Sequence, residues 1–159
     1  MQTGATSELA WYDRYADEEA IRAVTRGLLD ATWPEPDWKH REHCVATLGL
    51  ILFYPEIDLE RELPRIIKHY NVVNGGQNTE TSGYHHSMTL LYLQAIRHFV
   101  KTLPPHTAHG TAARLLLQSP IGKKDYPLRY YSRECIISKE ARLGWVKPDV
   151  QIPEYLPEP

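Results

Sequence analysis

Three histidines are the clearest candidates for chemistry in this sequence. His40 and His43 lie three residues apart in the segment WKHREH, and His85 lies in SGYHHSMT. Residues with this spacing on a helix face the same way, so the first two imidazoles can address one point. Neutral imidazole is the form that binds a metal ion or acts as a general base. We therefore predict an active centre formed by His40, His43 and His85.

A centre of three histidines predicts a divalent metal ion, zinc or iron, as the cofactor. Three protein ligands leave an open coordination position, as catalytic zinc sites do. Glu80, in the loop before His85, is a candidate fourth ligand or proton shuttle. Tyr84 and Thr89 are candidates to orient the ligands through hydrogen bonds, and Arg142 is a candidate anion clamp. The predicted catalytic residues are therefore Glu80, Tyr84 and Arg142, and the predicted metal ligands are the three histidines.

Two other interpretations of the histidines remain open. A metal-free enzyme would use His43 or His85 as a general base, or the cluster would bind an anion. Alternatively the histidines are structural, because two histidines on one helix are common and buried histidines often only complete a hydrogen bond. His86 points about 100° away from His85 around a helix and is a weaker candidate. The other histidines are predicted to lie on the surface or in loops: His69, His98, His106 and His109.

Helix start and stop signals place the three histidines near the starts of two helices. A second helix is predicted from Trp38 to Tyr54, with Asp37 as its N-cap. A fourth helix is predicted from Tyr84 to Leu103, capped by Thr81 or Ser82. If the second, third and fourth helices alternate in direction, the second and fourth are parallel and their first turns meet at one end of a bundle.

The second helix is predicted to form the centre of the core. After His43 it is apolar on almost every side, which is typical of a buried helix, so Leu48 and Leu52 should be almost fully buried. Further helices are predicted at 17–33, 59–70, 107–118, 125–131 and 139–145, with a kink or break at Pro64 and a polar loop at 71–83. The fold class is thus all-α, an irregular bundle of about five helices plus short C-terminal helices. We expect one domain over residues 1–159, with extended or flexible tails at 1–16 and 150–159.

The composition excludes several classes of function. The chain has 159 residues, 42% of them hydrophobic and 24% charged, with a net charge of −2, which is typical of a globular domain. It has no basic block, so no nucleic-acid partner is expected. The most apolar stretch, Cys44 to Tyr54, is too short to cross a bilayer, so no membrane partner is expected. Met1–Ala10 lacks the pattern of a signal peptide, which favours a cytoplasmic location. Cys44 and Cys135 lack metal-type spacing, and in a reducing compartment no disulfide is expected between them.

The segments WKHREH, SGYHHSMT and YYSRECIISKEARLGWVKPD carry three motifs: H-x-x-H, Y-H-x-[ST]-x-T and a C-terminal Y-S…S-x-x-A-R…V-x-P-D. This combination resembles a family of small uncharacterised bacterial proteins, over Trp38 to Asp149. His86 stands where many members have an acidic residue, and the resemblance implies a site but no reaction. The residues that it assigns to the motifs are His40, His43, Tyr84, His85, Ser87, Thr89, Ser132, Ser138, Arg142, Pro148 and Asp149.

These patterns favour one function among three. We expect a small metal-dependent enzyme that acts on a small-molecule substrate, with its site at one end of a helical bundle. The alternatives are a non-catalytic binding or interaction protein with structural histidines, and a metal-free enzyme. The C-terminal motif also has a structural interpretation, which is favoured because Ser132 and Ser138 are good helix caps and Arg142 can pack the final helix.

Overall fold

The computed structural model describes residues 10–156, and within them the regular structure is helical, with no strand. This confirms the predicted all-α class, and five of the helices have ten or more residues. The α-helices of the described residues are α1 (Glu18–Leu29), α2 (His40–Phe53), α3 (Leu59–Val73), α4 (His86–Thr102), α5 (His109–Gln118), α6 (Arg133–Ile136) and α7 (Lys139–Leu143). Short 3₁₀ turns occur at Trp11–Asp13, Glu35–Asp37, Pro120–Gly122 and Tyr126–Arg129. No helix in this part of the chain is long and apolar enough to cross a membrane.

Helix α2 lies at the centre of the bundle, where it contacts α1, α4 and α5. Leu48 and Leu50 are fully buried, as expected for a helix that is apolar on nearly every side. Leu52 is only half-buried, together with its neighbours Ile51 and Phe53. The prediction that Leu52 is almost fully buried is therefore wrong, because the last turn of α2 emerges from the core.

A close approach of backbones joins α1 to α2. An added Cβ atom at Gly49 of α2 would lie 1.9 Å from Oγ1 of Thr25 on α1. The Thr25 hydroxyl donates a hydrogen bond to the carbonyl oxygen of Ile21, 2.7 Å away, so it is satisfied within its own helix. Gly49 is therefore required by packing, even though glycine weakens a helix interior.

The ends of the central helices differ from the sequence-based prediction. Helix α2 begins at His40, and the Glu42 carboxylate accepts the backbone N–H of Lys39 at 3.0 Å, which caps the first turn. Asp37, the predicted cap, lies in the preceding 3₁₀ turn. Helix α4 begins at His86, and its N-cap is His85, not Thr81 or Ser82.

Helix α3 extends further than predicted and leaves a shorter loop. It continues through Pro64 as one helix to Val73, so the segment is not divided into two pieces. Pro64 is buried, and its packing offsets the loss of one backbone hydrogen bond. The connection to α4 therefore consists of residues 74–85, which we call the glycine loop because Gly75, Gly76 and Gly83 lie in it.

The segments predicted as tails pack onto the core where the structure describes them. Tyr15 is buried, and its hydroxyl donates to Oε2 of the buried Glu42 at 2.6 Å. Leu156 is buried at the other end of the described chain, and the Tyr155 hydroxyl lies 2.5 Å from that of Tyr126. Both segments thus cover the bundle. Residues 1–9 and 157–159, which the same prediction included, lie outside the described part of the chain.

The C-terminal motif is built into caps and backbone contacts. Ser132 and Ser138 are the N-caps of α6 and α7, and their hydroxyl oxygens accept the N–H groups of Cys135 and Ala141. The Asp149 carboxylate accepts two hydrogen bonds from Ser132, from its N–H at 2.8 Å and its hydroxyl at 2.6 Å. These contacts match the structural interpretation of the two serines.

Candidate functional site

A cavity of about 600 Å³ lies between α2, α3, α4 and the glycine loop. All three candidate histidines line it, so the structure brings them to one space. We call it the histidine cavity. Its walls are formed by His40, His43, Cys44 and Thr47 of α2, by Leu63, Ile67, Tyr70 and Asn71 of α3, by Met88, Thr89, Tyr92 and Ile96 of α4, by Asn74–Gln77 and Ser82–His85 of the loop, and by Glu35 and Trp38.

Both ring nitrogens of His85 are engaged by backbone groups. Nδ1 accepts the N–H of Met88 at 3.2 Å, which caps α4, and this fixes the ring proton on Nε2. Nε2 then donates to the carbonyl oxygen of Ile136, 2.7 Å away. Burial lowers the pKa of His85, which keeps the ring neutral near pH 7. His85 therefore has no free lone pair for a metal ion in this arrangement.

His40 is held by a carbonyl group from the 3₁₀ turn after α5. Its Nε2 lies 3.2 Å from the carbonyl oxygen of Ile121, so Nε2 carries the proton and Nδ1 keeps its lone pair. The ring lies against Tyr92, with 5.0 Å between the ring centroids. Burial is the main cause that lowers the pKa of His40. The ring is thus neutral, and it can still accept a hydrogen bond at Nδ1.

Cys44 lies beside His40, but the pair does not form an activated nucleophile. The Cys44 Sγ atom is 3.4 Å from Nε2 of His40 and 3.7 Å from the Ile121 carbonyl oxygen. Since Nε2 donates its proton to Ile121, it cannot accept one from the thiol. Burial also raises the pKa of Cys44 to about 12, so the thiol stays protonated.

Among the three candidate histidines, His43 is the one whose ring is not held by a backbone carbonyl group of the described residues and is therefore free to bind a ligand. Within residues 10–156 its ring makes no side-chain hydrogen bond, although it lines the cavity. The ring packs on Trp38, with 4.4 Å between the ring centroids. Burial, with a smaller contribution from His40, lowers the pKa of His43 to about 4. At pH 7 the ring is therefore neutral and offers one N–H donor and one acceptor nitrogen.

Trp38 joins His43 to an aromatic wall and contains an unsatisfied donor. Its ring centroid lies 4.9 Å from that of Tyr70, whose hydroxyl donates to the Trp33 carbonyl oxygen at 2.7 Å. The indole Nε1 atom of Trp38 is enclosed and has no hydrogen-bond partner among the described residues. A buried N–H without a partner costs free energy, so this wall of the cavity is not optimised for stability alone.

As arranged in the structure, the three histidines do not all offer a free ring nitrogen to one metal ion. Within residues 10–156, no group of three or more His, Cys, Asp or Glu side chains is arranged to hold a metal ion. His85 would have to release Ile136 or Met88 before it could bind one. His40 Nδ1 and the His43 ring remain as potential ligands.

Of the three predicted catalytic residues, Tyr84 alone lines the histidine cavity. Its hydroxyl lies 2.9 Å from Nδ1 of His86, which does not line the cavity. Glu80 is exposed, and its carboxylate lies 3.9 Å from Nζ of Lys139. Arg142 donates a hydrogen bond to the Gly83 carbonyl oxygen at 2.8 Å. Arg142 therefore holds the loop that forms one wall of the cavity, and its own side chain does not line that cavity.

The glycine loop has a defined conformation. Gly75 and Gly83 have φ angles of 89° and 83°, a region that favours glycine. An added Cβ atom at Gly83 would lie 1.9 Å from the Gln77 carbonyl oxygen. The Asn78 side chain accepts the Tyr84 N–H at 3.1 Å and the Asn71 amide at 2.9 Å. The loop is thus fixed at both ends as one wall of the cavity.

Sequence reasoning missed the aromatic part of this site. Trp38 precedes the first turn of α2. Tyr92 lies about two turns after His85, on the face of α4 that lines the cavity. The helical spacing from His85 could have indicated Tyr92. The sequence around Tyr70 indicates only a buried position on a helix. Comparison with models of protein families, with curated proteins and with solved structures found no match to the chain.

Proposed function

We propose that the protein binds a small molecule in the histidine cavity and that His43 forms hydrogen bonds to it. The observation that carries this proposal is the neutral imidazole of His43, which has no hydrogen-bond partner among residues 10–156 and lies in the wall of a cavity of about 600 Å³. This volume is within the range typical of small-molecule sites, which combine apolar walls with a few polar groups. The His40 and His85 rings, which are held by backbone carbonyl groups, support the surrounding wall.

The lowered pKa of His43 favours binding over proton abstraction. A general base works best when its pKa lies near the working pH, and a pKa of about 4 makes His43 a weak base at pH 7. The neutral ring is well suited to accept or donate a hydrogen bond. We therefore place His43 as a recognition residue and give the metal-free acid–base enzyme less support.

A fragment screen tests this proposal. Small neutral and charged fragments are screened by ligand-observed NMR against the native protein, His43→Phe and His69→Phe. His69 is exposed on α3 and serves as the control. Fragments should bind the native protein and the control, and bind the His43→Phe variant more weakly. Protein-observed spectra of the native protein should then show that the same fragments shift the His43 ring signals. Fragments that bind all three proteins equally, or a screen without any hit, would contradict the proposal.

A metal-dependent enzyme is the second proposal. It is favoured by His40 and His43, which line the same wall and are held neutral by burial, the form in which imidazole binds a metal ion. The test combines elemental analysis with thermal melts in zinc, iron(II) or chelator at pH 5.5 and 7.5. A stabilisation at pH 7.5 that is lost in the His40→Ala/His43→Ala double variant would support it. A metal-free protein whose melting temperature does not respond to any ion would contradict it.

A further inference from the structure

The polar groups in the histidine cavity also indicate which molecule fits. We propose that the ligand is an uncharged, planar molecule with an N–H donor, such as a carboxamide, a lactam or an N–H aromatic heterocycle. This proposal rests on the proposed function, that is, on a small molecule bound at His43. It adds the chemical class of the ligand. The charge, the shape and the hydrogen-bonding groups of the cavity walls each support this class separately.

The charge of the walls disfavours ions. Among residues 10–156, no lysine or arginine lines the cavity, and Glu35, which is exposed, is the one carboxylate that does. An anion would therefore lose its hydration without a basic side chain of the walls to pair with, and a cation would find one solvated carboxylate as its ionic partner. Burying an unpaired charge is costly, whereas an uncharged molecule avoids that cost.

The ionisable groups of the walls respond to the same environment. Burial lowers the pKa of His40, His43 and His85, and it raises the pKa of Cys44 and of Tyr84 to about 12. In each case burial is the largest cause. The histidines, which ionise to cations, and the thiol and phenol groups, which ionise to anions, are thus all shifted towards their neutral forms. The cavity therefore disfavours charge of either sign.

The shape of the walls favours a flat molecule. Trp38 lies beside both His43 and Tyr70, and its ring centroid is 4.4 Å from that of His43 and 4.9 Å from that of Tyr70, with tilted ring planes. Tyr92 and His40 form a second aromatic pair, with centroids 5.0 Å apart. Aromatic faces gain most from planar partners, because stacking adds to simple burial.

The walls offer a ligand several acceptors beside the indole N–H of Trp38, which has no hydrogen-bond partner within residues 10–156. The hydroxyls of Thr47 and Thr89 donate to the backbone carbonyls of His43 and His85 at 2.8 and 2.7 Å, so their oxygens can only accept another bond. His40 retains an acceptor at Nδ1, since its Nε2 proton is directed to Ile121. A ligand that brings N–H groups would satisfy these oxygens and nitrogens, and neutral His43 can match either a donor or an acceptor.

Three probes that share a planar shape but differ in charge test whether the cavity prefers an uncharged ligand. Benzamide is neutral, benzoate is an anion and benzamidine is a cation at pH 7.5, and all three carry a planar group on the same ring. Affinities are measured by titration with protein-observed NMR, with the Trp38 indole N–H signal as the reporter in every protein and the His43 ring signals as a second reporter where His43 is present. We expect benzamide to bind at least about tenfold more tightly than either ion, because each ion must lose its hydration without a partner.

Variants test whether the preference comes from the cavity. His43→Phe keeps a flat ring but removes the donor and acceptor, so it should abolish the preference for benzamide. Thr47→Val keeps the shape of the side chain and removes one acceptor, and it should weaken benzamide binding even if His43→Phe does not fold. His69→Phe, on the exposed surface of α3, should bind all three probes as the native protein does.

The possible outcomes separate this inference from the proposed function. If benzoate or benzamidine binds as tightly as benzamide and shifts the His43 signals, the chemical class is wrong and the small-molecule site is supported. If none of the three shifts those signals at millimolar concentration, the chemical class is again wrong, and the fragment screen decides the proposed function independently. A preference for benzamide that survives Thr47→Val and His43→Phe would also overturn the inference.

Discussion

The imidazole of His85 joins the start of α4 to the backbone at Ile136, with Nε2 2.7 Å from the carbonyl oxygen. The same ring accepts the N–H of Met88 through Nδ1. One side chain therefore caps a long helix and fixes the C-terminal segment against it. This arrangement assigns His85 to stability, in contrast to the metal ligand that the sequence predicts.

Replacing His85 should therefore reduce stability. We expect His85→Ala to lower the free energy of unfolding by about 1–3 kcal/mol, because the helix loses its cap and the Ile136 carbonyl loses its donor. His85→Asn restores an N-cap acceptor and should recover part of the loss. Urea denaturation of the three proteins measures both effects. A loss below about 0.5 kcal/mol for His85→Ala would show that these bonds contribute little.

The pKa of His43 predicts how stability depends on pH. The folded-state pKa is about 4, and an unfolded histidine titrates near about 6.5. Between these values the unfolded chain binds a proton that the folded protein does not, so stability rises with pH. This contribution is fully present above about pH 6.5 and is lost as the pH falls towards 4. Between pH 7 and 5, His43 alone should account for a loss of about 2 kcal/mol.

Urea denaturation at pH 5, 6 and 7 checks this dependence. His43→Gln keeps a hydrogen-bonding side chain but does not titrate, so its stability should fall less over the same interval. Part of the pH dependence should remain, because burial also lowers the pKa of His40 and His85. The carboxyl groups with lowered pKa, Glu18, Glu60 and Asp149, lose their contributions at lower pH. Equal pH dependence in both proteins would rule out a titrating buried His43.

Two leucines of α2 provide a matched comparison of burial. Leu48 is fully buried and Leu52 is half-buried, on the same helix. Leu48→Ala should destabilise the protein by about 2–5 kcal/mol, the usual range for a core truncation. Leu52→Ala should cost clearly less, since part of its side chain already contacts water. Equal losses in chemical denaturation would mean that the end of α2 is as enclosed as its middle.

Arg142 and Glu80 should affect the glycine loop to different extents. Arg142→Gln shortens the reach to the Gly83 carbonyl oxygen, so amide exchange in residues 77–84 should become faster. Glu80→Gln removes only an exposed ion pair with Lys139 and should change stability by less than about 0.5 kcal/mol. Hydrogen-exchange mass spectrometry separates the two variants. Unchanged exchange in Arg142→Gln would show that Asn78 alone holds the loop.

The sequence predicted the helices of this fold better than their ends. Periodic apolar residues identified α1 to α5, because each helix buries one face or, for α2, nearly all faces. The start of α4 was missed because histidine is an unusual N-cap, while Thr81 and Ser82 are common ones. The segment around Pro64 was expected to kink or divide, and tertiary packing of the buried proline keeps α3 in one piece.

The histidines were found, but their partners were not. The spacing of His40 and His43 correctly placed both on the side of α2 that lines the cavity. The carbonyl groups that bind His40 and His85 belong to irregular backbone at Ile121 and Ile136, and a backbone carbonyl leaves no signature in a sequence. The cytoplasmic location and the absence of a nucleic-acid partner stay predictions.

The carbonyl groups of Ile121 and Ile136 also determine when the site is completed during biosynthesis. Both residues follow the five long helices along the chain, so they leave the ribosome after α2 and α4. A nascent chain that ends before residue 121 lacks the acceptors of both His40 and His85. The tautomer of His40, and with it the acceptor that this ring offers to the cavity, is thus set by a segment made after α2 and α4, whereas Met88 on α4 already fixes the tautomer of His85.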